Sequence, residues 1–215
     1  MTTGRPRRTQ AERTAATRAA LLDATFDSMV ELGYGATTTT EVAHRAGVSL
    51  GALLHHFPTK AELLSASVSH AFDRRLEEFR KGVADLEPGA DRLGSSLDLL
   101  WSMFSGPTFK VCVEMWVAAR SDPALAEAIV AVDRRFMASS RDIFAELFPA
   151  DEGFTDETFQ RIGLSMAFAL FDGLAFSRLI EGYDPYAADE VVQAFKAMAQ
   201  LVLAMSQPTT PTGRV

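Results

Sequence analysis

A chain of 215 residues can hold one large or two small domains, and 47% hydrophobic residues is enough to build a buried core, so chain-wide disorder is excluded. Charges interrupt every apolar run before the ~18 residues a membrane span needs, and no apolar stretch near Met1 resembles a signal peptide, so a cytoplasmic protein is expected. The net charge of −7 argues against nucleic-acid binding until its distribution is seen: residues 1–60 carry seven Lys/Arg against five Asp/Glu, and residues 61–215 fourteen against twenty-three. A basic head on an acidic body is the asymmetry expected where only the head meets phosphate. The single cysteine, Cys112, cannot form an intramolecular disulfide, which agrees with a reducing compartment.

Residues 1–10 carry Arg5, Arg7 and Arg8 around a proline without apolar periodicity, which predicts a flexible basic arm. Its arginines either reach phosphates or an A·T-rich minor groove, or serve only as a solubilising tail. From about Ala11 to Leu32, Leu22, Phe26, Met29 and Val30 recur at helical spacing, and Gly33 closes this first helix. Thr38 and Glu41 then stand three apart, the spacing of a capping box. Val42, Ala43 and Ala46 give the second helix a small apolar stripe, and Gly47 follows where the chain must turn to positive φ. Ser49 is a suitable N-cap for a third, two-turn helix whose inward residues would be Leu53 and Phe57. Two short helices joined by a glycine turn form a helix-turn-helix, a unit whose second helix enters the major groove of DNA.

Within this stretch Gly47, Val48, Ser49, Gly51, Leu53, His56, Phe57, Lys60 and Leu63 follow the pattern G-V-S-x-G-x-L-Y-x-H-F-x-x-K-x-x-L. In this respect the chain resembles the tetracycline-repressor (TetR) family of transcriptional regulators, in detail over residues 15–65 and in helical layout beyond them. The resemblance implies an all-α homodimer, with an N-terminal three-helix helix-turn-helix domain and a C-terminal helical domain for ligand binding and dimerisation. Leu54 stands where the family pattern has a tyrosine whose hydroxyl contacts the DNA backbone, so this chain lacks the group for that contact.

Pro58-Thr59 with Glu62 suggests a second capping box, opening a long fourth helix through Leu63, Leu64, Val68, Phe72, Leu76 and Phe79. Lys60 in its first turn opposes the helix dipole, as would make sense if an external anion such as a DNA phosphate sat there. The proline- and glycine-containing stretch from Leu86 to Gly94 marks the passage into the body. Leu97–Phe104 and Phe109–Ala119 are apolar almost all round, which predicts two buried helices. Asp122-Pro123 reads as an N-cap and first helical residue, followed by a seam of Leu125, Ile129, Val132, Phe136, Ile143 and Leu147. Phe159–Ile180, with small residues Gly163, Ala167 and Gly173, and a last helix carrying Val191 to Met205 are apolar on more than one face. Such a pair predicts a four-helix interface between two copies.

Direction along the reading head assigns its candidate DNA contacts. Thr38 and Ser49 cap helices whose N-termini would face phosphate, His56 and Lys60 would touch the backbone, and Leu50, Gly51, Ala52 and His55 would face the groove floor, with Arg5, Arg7 and Arg8 adding charge. Leu50, Ala52 and Leu54 cannot hydrogen-bond a base edge, but apolar side chains can read thymine methyl groups. The body offers Trp101, Phe104, Met115, Trp116, Phe136, Phe168 and Phe171 as a wall for an apolar or aromatic effector, or simply as core, with Asp172 the preferred orienting group and Glu114, Arg120 and Arg178 as others. His44, His55, His56 and His70 lack metal-ligand spacing, and no cofactor motif or catalytic constellation is present. The expected organisation is a basic arm at 1–10, a DNA-binding domain at 11–58, an effector-binding and dimerisation domain at 59–206 and a loose tail at 207–215. The expected function is a repressor that holds a pseudopalindromic operator in double-stranded DNA as a homodimer, without membrane association, and is released by a small molecule. The alternatives are a regulator controlled by a protein partner and a helical enzyme with an incidental helix-turn-helix.

Overall fold

Helix starts and stops in this chain are written by short polar residues and glycines, and the structure, a computed structural model, uses most of them as anticipated. It describes residues 9–87, 91–148 and 157–206. Among these there are nine helices and no strand: α1 (Gln10–Ala36), α2 (Thr39–Arg45), α3 (Leu50–His56), α4 (Lys60–Ala84), α5 (Arg92–Phe104), α6 (Pro107–Ala119), α7 (Pro123–Leu147), α8 (Glu157–Ser177) and α9 (Ala188–Ser206). No helix of the described residues is long and apolar enough to cross a membrane. The loose tail, and Arg5, Arg7 and Arg8 of the basic arm, lie outside the described residues.

The first helix begins at Gln10, within one residue of the expected start near Ala11. Thr9 and Glu12 form a complete capping box, with the Thr9 N–H donating to the Glu12 carboxylate at 2.7 Å and the Glu12 N–H to the Thr9 hydroxyl at 3.2 Å. Gly33 breaks the helix where expected, at φ +79° and ψ 165°, before a last turn to Ala36. That backbone region is open almost only to glycine.

Spatially, the residues fall into two compact units that do not follow chain order. Residues up to Phe72 join with Val111–Asp133 in the first unit, and Asp73–Lys110 with Arg134 onward in the second. The expected boundary between residues 58 and 59 therefore falls inside the first unit. Its reason is apolar burial: Met29, Leu64 and Val68 from the N-terminal helices share a core with Val111, Cys112, Met115, Leu125 and Ile129. A neighbouring core, with Leu21, Leu22, Val42, Ala43, Leu53, Phe57 and Leu63, holds the reading head itself together. The Ser67 hydroxyl donates to the Leu22 carbonyl at 2.8 Å, tying the start of α4 to α1.

In the second unit α5, α8 and α9 pack on one another. Polar pairs fasten the α5–α9 contact: Lys196 Nζ to Asp98 Oδ2 at 2.5 Å, Gln200 to Asp91, and the Trp101 indole N–H to Asp189 at 3.0 Å. Leu76, Val83, Ile143 and Phe148 form the buried centre beside them.

The expectation that α6 is buried all round is corrected. Val111, Cys112 and Met115 face the core, but Trp116 and Val117 are 43% and 63% exposed. The stretch is amphipathic in fact, because its apolar residues outnumber the positions that a single core-facing stripe can bury.

Replacement of Gly33 by alanine tests the break in α1. Gly33→Ala would strain φ and bring its Cβ to 3.1 Å from Glu114 Oε2. A loss of roughly 1–3 kcal/mol is expected, read as a melting temperature lower by several degrees; an unchanged melting temperature would contradict the strained geometry.

Candidate nucleic-acid interface and effector cavity

The turn between α2 and α3 is a Schellman motif. The Val48 N–H bonds to the Ala43 carbonyl at 3.0 Å and the Gly47 N–H to the His44 carbonyl at 3.1 Å, with Gly47 at φ +69°. Ser49 then caps α3, its hydroxyl accepting the Ala52 N–H at 3.2 Å. Thr38 caps α2 in the same way, from the Glu41 N–H at 3.2 Å. Only that half of the predicted capping box is made, since the Glu41 carboxylate turns instead toward Arg45, 3.9 Å away. Thr59 likewise accepts the Glu62 N–H at 3.1 Å.

On α3 Leu53 points inward with no exposed surface, and Phe57 just beyond it is 3% exposed. At 100° per residue the remaining positions divide cleanly. Leu50, Gly51, Leu54 and His55 form one exposed arc, flanked by half-buried Ala52 and His56. Ala52 thus stands at the margin of the candidate groove face, and Leu54, which like Leu50 and Ala52 cannot hydrogen-bond a base edge, lies within it. The exposed arc carries two leucines, at 41% and 43% exposure, that no neighbour covers well.

Basic residues of the head are more committed internally than their count implies. The Arg45 guanidinium bonds the Glu31 carboxylate at 2.7 Å and holds that carboxyl below its ordinary range, chiefly through this hydrogen bond. Arg18 lies 4.8 Å over the Phe57 ring. Lys60 Nζ sits 3.4 Å from the Tyr34 carbonyl and 5.0 Å over its ring, so an acceptor and a π face inside the protein already answer part of the demand for an anion. Burial raises the Tyr34 phenol above its usual range, and the Asp122 charge adds to this.

Glu114 has a structural task that its residue type did not disclose. Its Oε2 accepts the Tyr34 N–H at 2.6 Å, at the break in α1. A carboxylate from α6 thereby satisfies a backbone donor freed by Gly33. Glu114 belongs to the first unit and is not among the residues that line the cavity of the second.

In the second unit, α4, α5, α7, α8 and α9 line a partly open cavity of about 100 Å³. Leu76 and Phe79 enter from α4; Leu93, Ser96, Leu97, Leu100 and Met103 from α5; Phe136, Ser140, Ile143 and Phe144 from α7, with Phe148 beyond; Gly163, Leu164, Ala167 and Phe168 from α8; Phe195 and Ala199 from α9. No charged side chain is among them. Of the eight residues singled out in the sequence, Phe136 and Phe168 are on this wall. Phe104 and Phe171 stand behind it, their rings 5.6 Å from Phe168 and 6.0 Å from Phe195 respectively. Trp101 stacks on Phe171 at 5.5 Å while its N–H is committed to Asp189.

Three of the expected residues are not on this wall. Met115 is fully buried in the core of the first unit, Trp116 is half-exposed there, and Asp172 is half-buried away from the wall. Arg178 pairs with Asp189 at 3.2 Å and Asp184 at 3.7 Å. Selection by residue type missed most of the wall. The available signal was spacing: Leu93, Ser96/Leu97 and Leu100 on α5, and Phe136, Ser140 and Ile143/Phe144 on α7, recur at three- and four-residue intervals.

Ser49→Ala removes the cap of α3 and is expected to lower stability by about 1 kcal/mol, measured by urea denaturation. A midpoint equal to that of the parent protein would mean that the hydroxyl does not support the helix.

Comparison with known proteins agrees with this anatomy. Residues 21–67 match the family described as bacterial regulatory proteins, tetR family, and residues 90–204 match the BetI-type transcriptional repressor C-terminal family. An uncharacterised helix-turn-helix-type transcriptional regulator of Mycobacterium tuberculosis is 36% identical over 171 residues, covering 80% of this chain and 87% of that protein. Among solved structures, a TetR-family regulator from Rhodococcus superposes with a TM-score of 0.68 at 18% identity, covering 88% of this chain and 99% of that one. The multidrug binding protein EbrR, solved with imidazole, superposes with a TM-score of 0.56 at 22% identity, over 91% and 97% of the two chains. A capped helix-turn-helix, an all-helical body and matches over both parts of the sequence make this chain a member of the TetR family of DNA-binding transcriptional regulators.

Proposed function

We propose that the chain is a homodimeric repressor whose two α3 helices read a pseudopalindromic operator, and that a small apolar molecule bound in the second unit releases it. The observation that carries the effector part is the cavity walled by apolar side chains without charge, which favours a ligand over control by a protein partner. The same fold occurs in EbrR, a multidrug binding protein, which supports this reading.

Operator recognition on this reading combines Thr38, Ser49, His56 and Lys60 at the backbone with Leu50, Gly51, Ala52, Leu54 and His55 toward the groove, and Arg5, Arg7 and Arg8 as an electrostatic supplement. Leu50 and Leu54 supply hydrocarbon, which fits thymine methyl groups. A mobility-shift titration on the DNA upstream of the chain's own coding region is expected to give specific binding. Replacing one contacted thymine by uracil should weaken it about fourfold, taking about 0.8 kcal/mol for a buried methyl group. Equal affinity for operators fully substituted with uracil would refute methyl reading.

Dimerisation follows from two uncovered stripes. Ile162, Met166, Ala169, Gly173 and Phe176 on α8, and Ala194, Met198, Leu201 and Met205 on α9, are exposed at alternating three- and four-residue intervals. Nothing lies within 4 Å of a Cβ placed at Gly173, so a second backbone could approach there. Four helices from two copies would bury both stripes. A dimer sets the distance between reading heads, which must match grooves about 34 Å apart. An effector that prefers another spacing lowers operator affinity by that preference. Met166→Glu with Leu201→Glu is expected to give a monomer by sedimentation velocity and to abolish specific operator binding. A double variant that stays dimeric would exclude this interface.

A further inference from the structure

Two serines are among the residues that line the cavity in the second unit, and their hydroxyl groups are in different states. Ser140 Oγ on α7 donates to the Phe136 carbonyl at 2.8 Å, the ordinary back-bond of a helical serine. Ser96 Oγ on α5 does not do the same with the carbonyl of Arg92. It makes no hydrogen bond at all, although Ser96 is only 5% exposed. Buried hydroxyls without partners are rare because they lose their bonds to water and gain nothing in return. Its residue belongs to a wall of hydrocarbon and aromatic rings, and a rotation about χ1 would turn the buried hydroxyl toward the cavity.

We infer that Ser96 is the polar anchor of the ligand site, and that the ligand is a neutral molecule of about one ring carrying a single hydroxyl or carbonyl group. The inference rests on reading the cavity as a ligand site. Size comes from the volume of about 100 Å³, against ~150 Å³ for an apolar protein cavity known to take up benzene. Accommodation of a complete ring requires a small movement of the wall, for which the unbranched Met103 side chain is suited. Six phenylalanines, including Phe136, Phe144 and Phe168, offer edges and faces to an aromatic guest.

Charge sets the second limit. An ammonium or carboxylate entering this cavity would lose its hydration with no counter-charge on the wall. A neutral hydroxyl brings both a donor and an acceptor to Ser96 Oγ, which has both to spare, while a carbonyl group would take its proton. Ser140 can accept but not donate, since its proton is already engaged by Phe136, so only Ser96 can meet a carbonyl or exchange both roles with a hydroxyl.

Isothermal titration of the full chain with phenol, toluene, benzoate and benzylammonium at neutral pH tests this. Phenol and toluene are expected to bind, and benzoate and benzylammonium to give no binding at concentrations that saturate with phenol. Ser96→Ala should lower the ratio of phenol to toluene affinity about tenfold, and Ser140→Ala should leave that ratio unchanged. Ser96→Cys, of similar size and with a weak hydrogen-bonding group, reads the same ratio if the alanine variant does not fold. An unchanged ratio in the Ser96 variants, comparable binding of either charged probe, or absence of phenol binding would overturn the proposal. A mobility shift with saturating phenol separates this from the regulatory reading. An operator complex that persists while phenol occupies a Ser96-dependent site would refute release by this ligand and leave the anchor intact.

Discussion

The first unit depends on a core that no contiguous stretch of the chain can complete. Met29 from α1 and Leu64 and Val68 from α4 are buried against Val111, Cys112 and Met115 from α6 and Leu125 and Ile129 from α7. Without those later residues, the inner sides of α1 and α4 would stand in water, at roughly 25 cal/mol for each Å² of apolar surface left uncovered. The same segment supplies the Glu114 carboxylate that receives the Tyr34 N–H where Gly33 breaks α1. Apolar burial and one charge-assisted hydrogen bond thus fix the helix that supports α2 and α3. The reading head has its own small core around Leu53 and Phe57, but its foundation comes from far along the chain.

What could be read in the sequence was whatever rests on near neighbours. Thr38, Gly47 and Ser49 specify the ends of α2 and α3 through bonds spanning three to five residues, and these lie where their types and spacing put them. Asp122 before Pro123 caps α7 for the same reason. Distant partners were not legible. A glutamate at position 114 has the composition of a ligand-binding group and the task of satisfying a backbone donor eighty residues away. Lys60 reads as a cation awaiting an anion until Tyr34 is found beneath it. Aromatic residues suggested the cavity, but whether a ring lines it or stands behind it depends on helix rotation. Phe168 and Phe171, three apart on α8, divide in that way.

Both recognition surfaces of the proposed repressor are unusually apolar. The exposed arc of α3 presents Leu50 and Leu54 where side chains with hydrogen-bonding groups would give direct base readout. The cavity presents two serines among hydrocarbon, one of them already satisfied. Selectivity in each case would come from shape and from a small number of polar groups, because an apolar surface rejects a misplaced charge strongly but discriminates weakly among similar hydrocarbons. Attraction at longer range would then fall to cations around the head, several of which are already shared with Glu31, Phe57 and Tyr34.

The discontinuous first unit also bears on the order in which the protein is made. During synthesis the helix-turn-helix emerges early, yet Met29, Leu64 and Val68 remain uncovered until residues 111–133 have followed. Closing that long excursion loses chain entropy before the shared core returns any stability, so this step belongs to the slow, non-local part of folding. For that interval the nascent head is a sticky intermediate. A prematurely terminated chain would have its DNA-reading motif intact in sequence and lack the far segment that makes it a stable, soluble body.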